Sequence, residues 1–303
     1  MSDVLVSGLI NIETTVRVDG FPIDYVPVRF PFFGVRSTVS GVGYNVSKAL
    51  TILGDGVRFV SLIGRGVLGT MVRQALAADG IDDGFVLSSL AQTAQSAILY
   101  DSQGRRQINV DLKDIQDQVY PEALFEQALA SCSVAVVCNI NFSRPFLALA
   151  RRQDKLVATD VHTVAELDDP YNQDFMRAAH VLFMSDEALP CAPETWVQRV
   201  LNRYGNEIVV VGLGAQGALL AVKRDGFMER IPAVHTREVV NTIGAGDALF
   251  ATFVHFYKAD RDPYAAIQRA VVMASYKIGA AGAADGLLDE PSLLELCGEL
   301  GLG

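Results

Sequence analysis

The sequence predicts an α/β fold, with a mostly parallel central sheet flanked by helices in three layers and a small β lid beside it. Three observations lead there. From Pro121 onward, short apolar runs alternate with helical patterns, and strands that are apolar throughout suit a parallel sheet covered on both faces. The chain also opens on such a run, Asp3 to Ile10. Two stretches in the first third instead alternate apolar and polar residues, as a sheet with one exposed face does. The 303 residues suffice for one large domain. One is expected over residues 1–303, with lid segments near 13–36 and 93–110, no internal repeat and no low-complexity linker.

The elements follow in order. Asp3 to Ile10 reads as a buried strand running into Asn11-Ile12-Glu13, polar groups at the strand edge where open α/β sheets bind ligands. Thr14 to Arg36 holds Pro22, Pro27 and Pro31 among aromatics, so it reads as an exposed strand and then loop. Ser40-Gly41-Val42-Gly43-Tyr44-Asn45 opens a helix over Val46 to Leu53 that Gly54 closes. Val57 to Ile63 is a strand, and Gly64 to Gly69 turns into a helix ending at Ala78. Ser96–Tyr100 and Arg106–Val110 flank Asp101-Ser102-Gln103-Gly104, a hairpin signal and the lid's other half.

Helices are then expected at 121–130, 144–153, 170–178 and 193–204, with strands at 133–140, 155–161, 181–184 and 207–211. Ala218–Val222 and Phe227–Ile231 pair across Lys223-Arg224-Asp225-Gly226, and later helices cover 264–278 and 291–300.

Net charge is −10, the wrong sign for a nucleic-acid surface. No apolar run reaches membrane-span length. Met1 to Val6 has no basic leader. Cys132, Cys138, Cys191 and Cys297 lack metal-like spacing and read as reduced thiols, which suits the cytosol.

The chemistry concentrates in Asn241-Thr242-Ile243-Gly244-Ala245-Gly246-Asp247, ahead of the almost wholly apolar run Ala248 to Val254. Bare glycines at a helix start leave N–H groups that bind anions, with Thr242 as the expected cap. Asp247 falls in the first turn, where the helix dipole favours its ionised form. An anion cradle beside a carboxylate suits phosphoryl transfer; a structural Gly-rich loop is the plainer alternative. Gly212-Leu213-Gly214-Ala215-Gln216-Gly217 fits a dinucleotide fingerprint and follows a strand, but no helix follows it, so no NAD site is expected. The pattern G-x-x-x-x-G-K-[ST] is absent.

Asn241 to Asp247 resembles the second signature of the ribokinase-like (PfkB) carbohydrate kinases. Gly41, Gly43, Asn45, Gly54 and Gly64 resemble most of the first. The resemblance spans essentially the whole chain and implies the ribokinase-like fold. It implies Asp247 as general base, with the backbone of Gly244, Ala245 and Gly246 gripping the γ-phosphate of ATP. Asn11, Glu13, Gly41, Val42, Gly43, Asn45, Asn141 and Asp160 would hold the acceptor. Ser185, Gly212, Gly214, Gly217, Thr242, Ser275, Ile278 and Gly282 would line the nucleotide, with Glu187 acting indirectly on Mg2+. In relatives the lid sheet often pairs with a second copy, which implies a homodimer.

Several positions depart from the family pattern. Asn241 stands where Asp usually helps hold a monovalent cation, which leaves that requirement open. Ser40, Gly66, His162 and Thr252 also differ, and Ser185-Asp186-Glu187 lacks the Asn of an Asn-x-x-Glu motif.

Three functions remain open at this stage. A sugar kinase acting on a primary hydroxyl accounts for Glu13 and Asp160, since paired carboxylates suit vicinal hydroxyls. A nucleoside kinase would use Tyr25, Phe30, Phe32, Phe33 and Tyr44 to stack on a base. A catalytically weak sensor would explain the departures.

Overall fold

The computed structural model describes residues 3–302. Met1 and Ser2, part of the leader-free start expected from the sequence, lie outside them, as does Gly303.

The chain runs β1 (Asp3–Ser7), β2 (Asn11–Arg17), β3 (Val35–Ser40), α1 (Val42–Ile52), β4 (Val57–Gly64), α2 (Val67–Ala78), β5 (Val86–Leu90), β6 (Gln95–Tyr100) and β7 (Arg106–Asp111). It continues α3 (Glu122–Leu129), β8 (Cys132–Val137), α4 (Phe146–Arg152), β9 (Leu156–Thr163), α5 (Gln173–Ala178), β10 (Val181–Ser185), α6 (Pro193–Tyr204) and β11 (Ile208–Gly212). The hairpin β12 (Ala218–Val222) and β13 (Phe227–Ile231) precedes α7 (Ala245–Asp260), α8 (Pro263–Lys277) and α9 (Glu290–Glu299).

Nine strands form one sheet in the order β13-β12-β11-β10-β9-β8-β1-β4-β5. It is parallel apart from the β11–β12–β13 meander. Alternation along each strand fills both faces. Val4, Val6 and Val210 pack with α1, α7 and α8, while Leu5, Val209 and Val211 pack with α3, α4 and α6. Phe183 of β10 meets Phe250 and Phe253 of α7 at ring-centroid distances of 4.9 and 5.2 Å. The far end of α7 is held by His255, whose Nδ1 lies 2.8 Å from Asp55 Oδ2. Such burial fixes α7 rigidly against the sheet.

β1 stops at Ser7, short of the apolar run to Ile10, because α1 crosses its end. A Cβ on Gly8 would lie 2.8 Å from Gly43 Cα, and one on Gly43 only 2.6 Å from Gly8 C. The chain then leaves the large sheet as β2, so Asn11 and Glu13 begin a strand of the smaller one.

That second sheet has the order β3-β2-β6-β7. The proline-rich segment before it was expected to stay loop through Arg36, yet β3 starts at Val35. Its first three residues, Val35, Arg36 and Ser37, are exposed and Arg36 to Thr38 are polar, so no apolar alternation marked it. β5 was likewise unmarked, since Val86-Leu87-Ser88-Ser89-Leu90 is too short to show a period. Among the described residues no helix is long and apolar enough to cross a membrane, and the four cysteines are free thiols.

Candidate active site

α7 begins where two loops touch. Gly244 is its N-cap, at φ 79°, and a Cβ there would fall 2.1 Å from Ala283 O. Only glycine serves both demands. No side chain caps the helix, and nothing lies within 4 Å of where a Cβ on Gly246 would stand. The start of α7 is therefore open, with its first amides free of intrahelical partners. Thr242, expected as the cap, instead accepts a hydrogen bond from Arg106 Nη1 of β7 at 2.8 Å.

Asp247 stands in this first turn, half-buried. Asn45 Nδ2 donates to its Oδ2 at 2.7 Å. The helix α1 starts at Val42, four residues ahead of the Val46 expected from the sequence. Gly41 turns the chain at φ 103°, and Asn45 sits inside the first turn of α1. Ser40 Oγ donates to Glu13 Oε2 at 3.1 Å, with Asn45 Oδ1 3.4 Å away. Asn11 Nδ2 donates to Ser96 Oγ at 3.2 Å. Two acceptors in this buried row, Asn11 Oδ1 and Glu13 Oε1, have no partner, which is costly unless a ligand supplies donors.

Two acids here, Asp247 and Glu13, resist ionisation. Burial pushes the Asp247 carboxyl above the usual range; the Asn45 hydrogen bond and nearby His162 pull it back, Asp160 raises it and Lys277 lowers it. The helix dipole was expected to keep Asp247 readily ionised, but desolvation outweighs such stabilisation. Glu13 is raised too, by burial first and then by Asp247. Asp160 belongs to the same cluster. Its Oδ1 accepts the His162 backbone N–H at 2.8 Å, and His162 sits at φ 59°.

Several expected contacts are otherwise engaged. Asn141 is tied to Gln116, donating to its carbonyl at 3.2 Å, and Arg144 donates to Asn141 Oδ1. Val42 forms the first turn of α1 rather than a loop. Ser275 Oγ donates to Val234 O at 2.7 Å and so braces the 234–236 segment. The Ile278 carbonyl accepts the amides of Val240 and Asn241. Gly282 faces the Arg36–Asp285 ion pair. The room over Gly279 and Gly286 is taken by the Arg237 side chain.

Gly217 is required by the fold, since its Cβ would meet Ile231 O at 2.1 Å, whereas Gly214 is open and Gly212 has only Met184 O 3.8 Å away. Ser185 ends β10, and its Oγ accepts the Glu187 amide at 3.3 Å. Glu187 pairs with Arg106 Nη2 at 3.0 Å.

Two charged residues at this site escaped the sequence reading. Arg106 joins the small sheet to both Thr242 and Glu187. Its position in an alternating strand gave no hint of that reach. Lys277 is completely buried, and its Nζ donates to the Ile243 carbonyl. It lies in the last turn of α8, where a lysine is common, so the sequence did not single it out.

Among the described residues no cluster of three or more His, Cys, Asp or Glu could hold a metal ion. A magnesium ion carried by a triphosphate needs only one or two carboxylates and keeps several waters. Glu187, largely exposed, fits that limited role.

Comparison with known proteins finds relatives along most of the chain. An ATP-dependent ribose-1-phosphate kinase of Halopiger xanaduensis is 26% identical over 287 residues, covering 93% of this chain and 94% of its own. A 1-phosphofructokinase of Haloferax volcanii is 29% identical, over 81% of each chain. A microbiome-derived acarbose kinase superposes with a TM-score of 0.88 at 25% identity, over 98% of this chain and 99% of that one. The fold is also that of Arabidopsis thaliana ribokinase, with a TM-score of 0.80 at 18% identity over 97% and 98% of the two chains. The model of the pfkB family carbohydrate kinases matches residues 1–290, and the chain belongs to that family of phosphotransferases.

Proposed function

We propose that this chain is an ATP-dependent kinase that transfers the γ-phosphoryl group to a primary hydroxyl of a sugar. The observation that carries the reading is the carboxylate of Asp247 at an open helix start, joined through Asn45 and Ser40 to Glu13, whose Oε1 is buried and unpartnered, as is Asn11 Oδ1 two residues earlier on β2. Those acceptors, on Asn11 and Glu13, call for O–H donors, which a polyol supplies. Asp160, also close in charge to Asp247, extends the same side.

In this reading Asp247 takes the proton of the acceptor hydroxyl, its oxygen bonds to the γ-phosphorus, and the β–γ bridging bond breaks to release ADP. The amides of Gly244, Ala245 and Gly246 hold the charge that builds on the migrating group. Magnesium, when bound with the triphosphate, neutralises part of its charge, and Glu187 would hold its water shell. Gly212 and Gly214 leave backbone open to the nucleotide. The small sheet acts as a lid that excludes competing water, with Arg106 as its tie to the nucleotide side. Its edge strand β7 is exposed along its length and is the face this reading gives to a second copy.

A sugar is preferred to a nucleoside because the five aromatics do not converge: Phe30 and Phe32 stack on each other, 6.3 Å between centroids. Tyr44 is buried with its hydroxyl on Asp79, and Tyr25, Phe30, Phe32 and Phe33 lie exposed on the loop before β3. The test is an ADP-release assay over pentoses, hexoses, sugar phosphates, acarbose and nucleosides, with product identified by mass spectrometry. The sugar kinases named above justify the phosphorylated and oligosaccharide arms. Product from a sugar or sugar phosphate is expected. Product from nucleosides alone would replace the acceptor, and no product at all would remove the reading.

Glu13→Gln separates binding from stability. Losing a hydrogen bond to a charged group costs about 1.5–3 kcal/mol, so kcat/KM for the preferred sugar falls by roughly 10- to 100-fold. The stability effect has the opposite sign. A carboxyl whose folded pKa is raised loses stability as pH climbs through that value, so ionised Glu13 burdens the fold at neutral pH. Glu13→Gln therefore melts higher than the parent at pH 7, and the gap closes in acid.

A further inference from the structure

The turn before Asp247 rests on a charge that no step of the proposed chemistry uses. Lys277 ends α8 with no exposed surface, and its Nζ donates to the Ile243 carbonyl, one residue before Gly244. A buried ammonium is expensive and persists only where it is paired. Around it the 241–244 turn and the 278–283 loop are knit together. Val240 and Asn241 donate their amides to Ile278 O at 2.9 and 3.2 Å. Asn241 Nδ2 donates to Ala281 O at 2.7 Å, and its Oδ1 accepts the Ile243 amide at 3.0 Å.

The two residues match. A carboxylate at 241 would face the Ala281 carbonyl oxygen without a proton to give and would need a free cation between them. The amide bonds to it directly, and the cation comes from Lys277.

We propose that the Lys277 ammonium is a built-in cation that braces the turn ahead of Asp247 through the Ile243 carbonyl, so that the loop holds its shape without a monovalent ion from solution. Lys277 is thus a positioning residue, acting through the backbone of 243–246. The consequence for turnover rests on the kinase reading above, whereas the structural consequence does not.

Charged groups face Lys277 from each neighbouring element. Burial pulls its pKa down to about 8; Asp247 on α7, Asp285 on the loop after α8 and Glu13 on β2 raise it, and Arg237 lowers it. The ammonium is therefore present at neutral pH. Between about 8 and its unfolded value of roughly 10.4 the native state has shed this proton and the unfolded state has not. Stability from this group therefore rises with pH while the brace, and turnover with it, is lost.

The experiment compares potassium, ammonium and tetramethylammonium chlorides at equal ionic strength, reading thermal midpoint and, for the sugar turned over, initial rate. Native protein should show the same midpoint and rate in all three. Lys277→Ala, which leaves a space beside the Ile243 carbonyl, should be about 10²-fold slower in tetramethylammonium. It should regain rate and midpoint in potassium or ammonium. Lys277→Met, which fills the space, should stay slow in all.

A native midpoint or rate that climbs specifically with potassium overturns the proposal, even if neither variant folds. So does Lys277→Ala working at full rate without a small cation. Failure of every acceptor to give product would remove the kinase reading alone, because the midpoint series still decides this one.

Discussion

Asp247→Asn should lower kcat by about 10²- to 10⁴-fold, the range expected when a positioned general base is lost, with ATP affinity nearly unchanged. The amide keeps the shape of the side chain and an oxygen for Asn45 Nδ2 to meet, so the site should stay assembled. What disappears is the ability to take a proton. The pH profile of the parent carries the same information. Because burial holds the Asp247 carboxyl above its ordinary value, turnover should fall on the acid side as that group protonates. The acid limb should vanish in Asp247→Asn along with most of the rate. Rapid-quench single turnovers and a titration with a non-hydrolysable ATP analogue check both halves. Full turnover with the amide in place would strip Asp247 of the role.

The site was legible in the sequence to the extent that it depends on backbone. Gly41, Gly43 and Gly244 announce turns and close approaches because only glycine tolerates them, and the structure puts Gly41 and Gly244 at positive φ. The large sheet was legible for a similar reason: strands buried on both faces cannot hide their composition. Side chains acting over long separations were not. Arg106 reaches Thr242 across 136 positions, and Lys277 reaches Ile243 from the end of a helix whose pattern gave it no special place. Neither contact leaves a local trace.

The nucleotide contacts expected of Ser275, Ile278 and Gly282 rest on the family resemblance and on the small residues around them. Small residues at 279–286 do mark missing volume, but composition cannot say which atoms fill it. Here Arg237 occupies the room over Gly279 and Gly286, its Nε donating to Tyr276 O at 2.6 Å.

The two glycines of the α7 start make the sharpest paired test of where the phosphoryl group sits. In Gly244→Ala the added methyl would stand 2.1 Å from Ala283 O, a backbone atom, at a φ of 79° that alanine disfavours. Either the 279–286 loop or the helix start must move. Losing the aligned amides should cost about 10²- to 10³-fold in kcat, and the thermal midpoint should drop as well. Gly246→Ala differs in the one respect that matters. Its methyl meets nothing within 4 Å, and alanine in a helix is favoured over glycine by about 0.8–1.0 kcal/mol, so this variant should melt higher than the parent. If the open space above Gly246 is where the migrating group is held, the same methyl blocks it, and kcat should fall despite the gain in stability. A Gly246→Ala protein that is both more stable and fully active would mean the phosphate lies elsewhere, and the anion site would have to be sought away from this helix start.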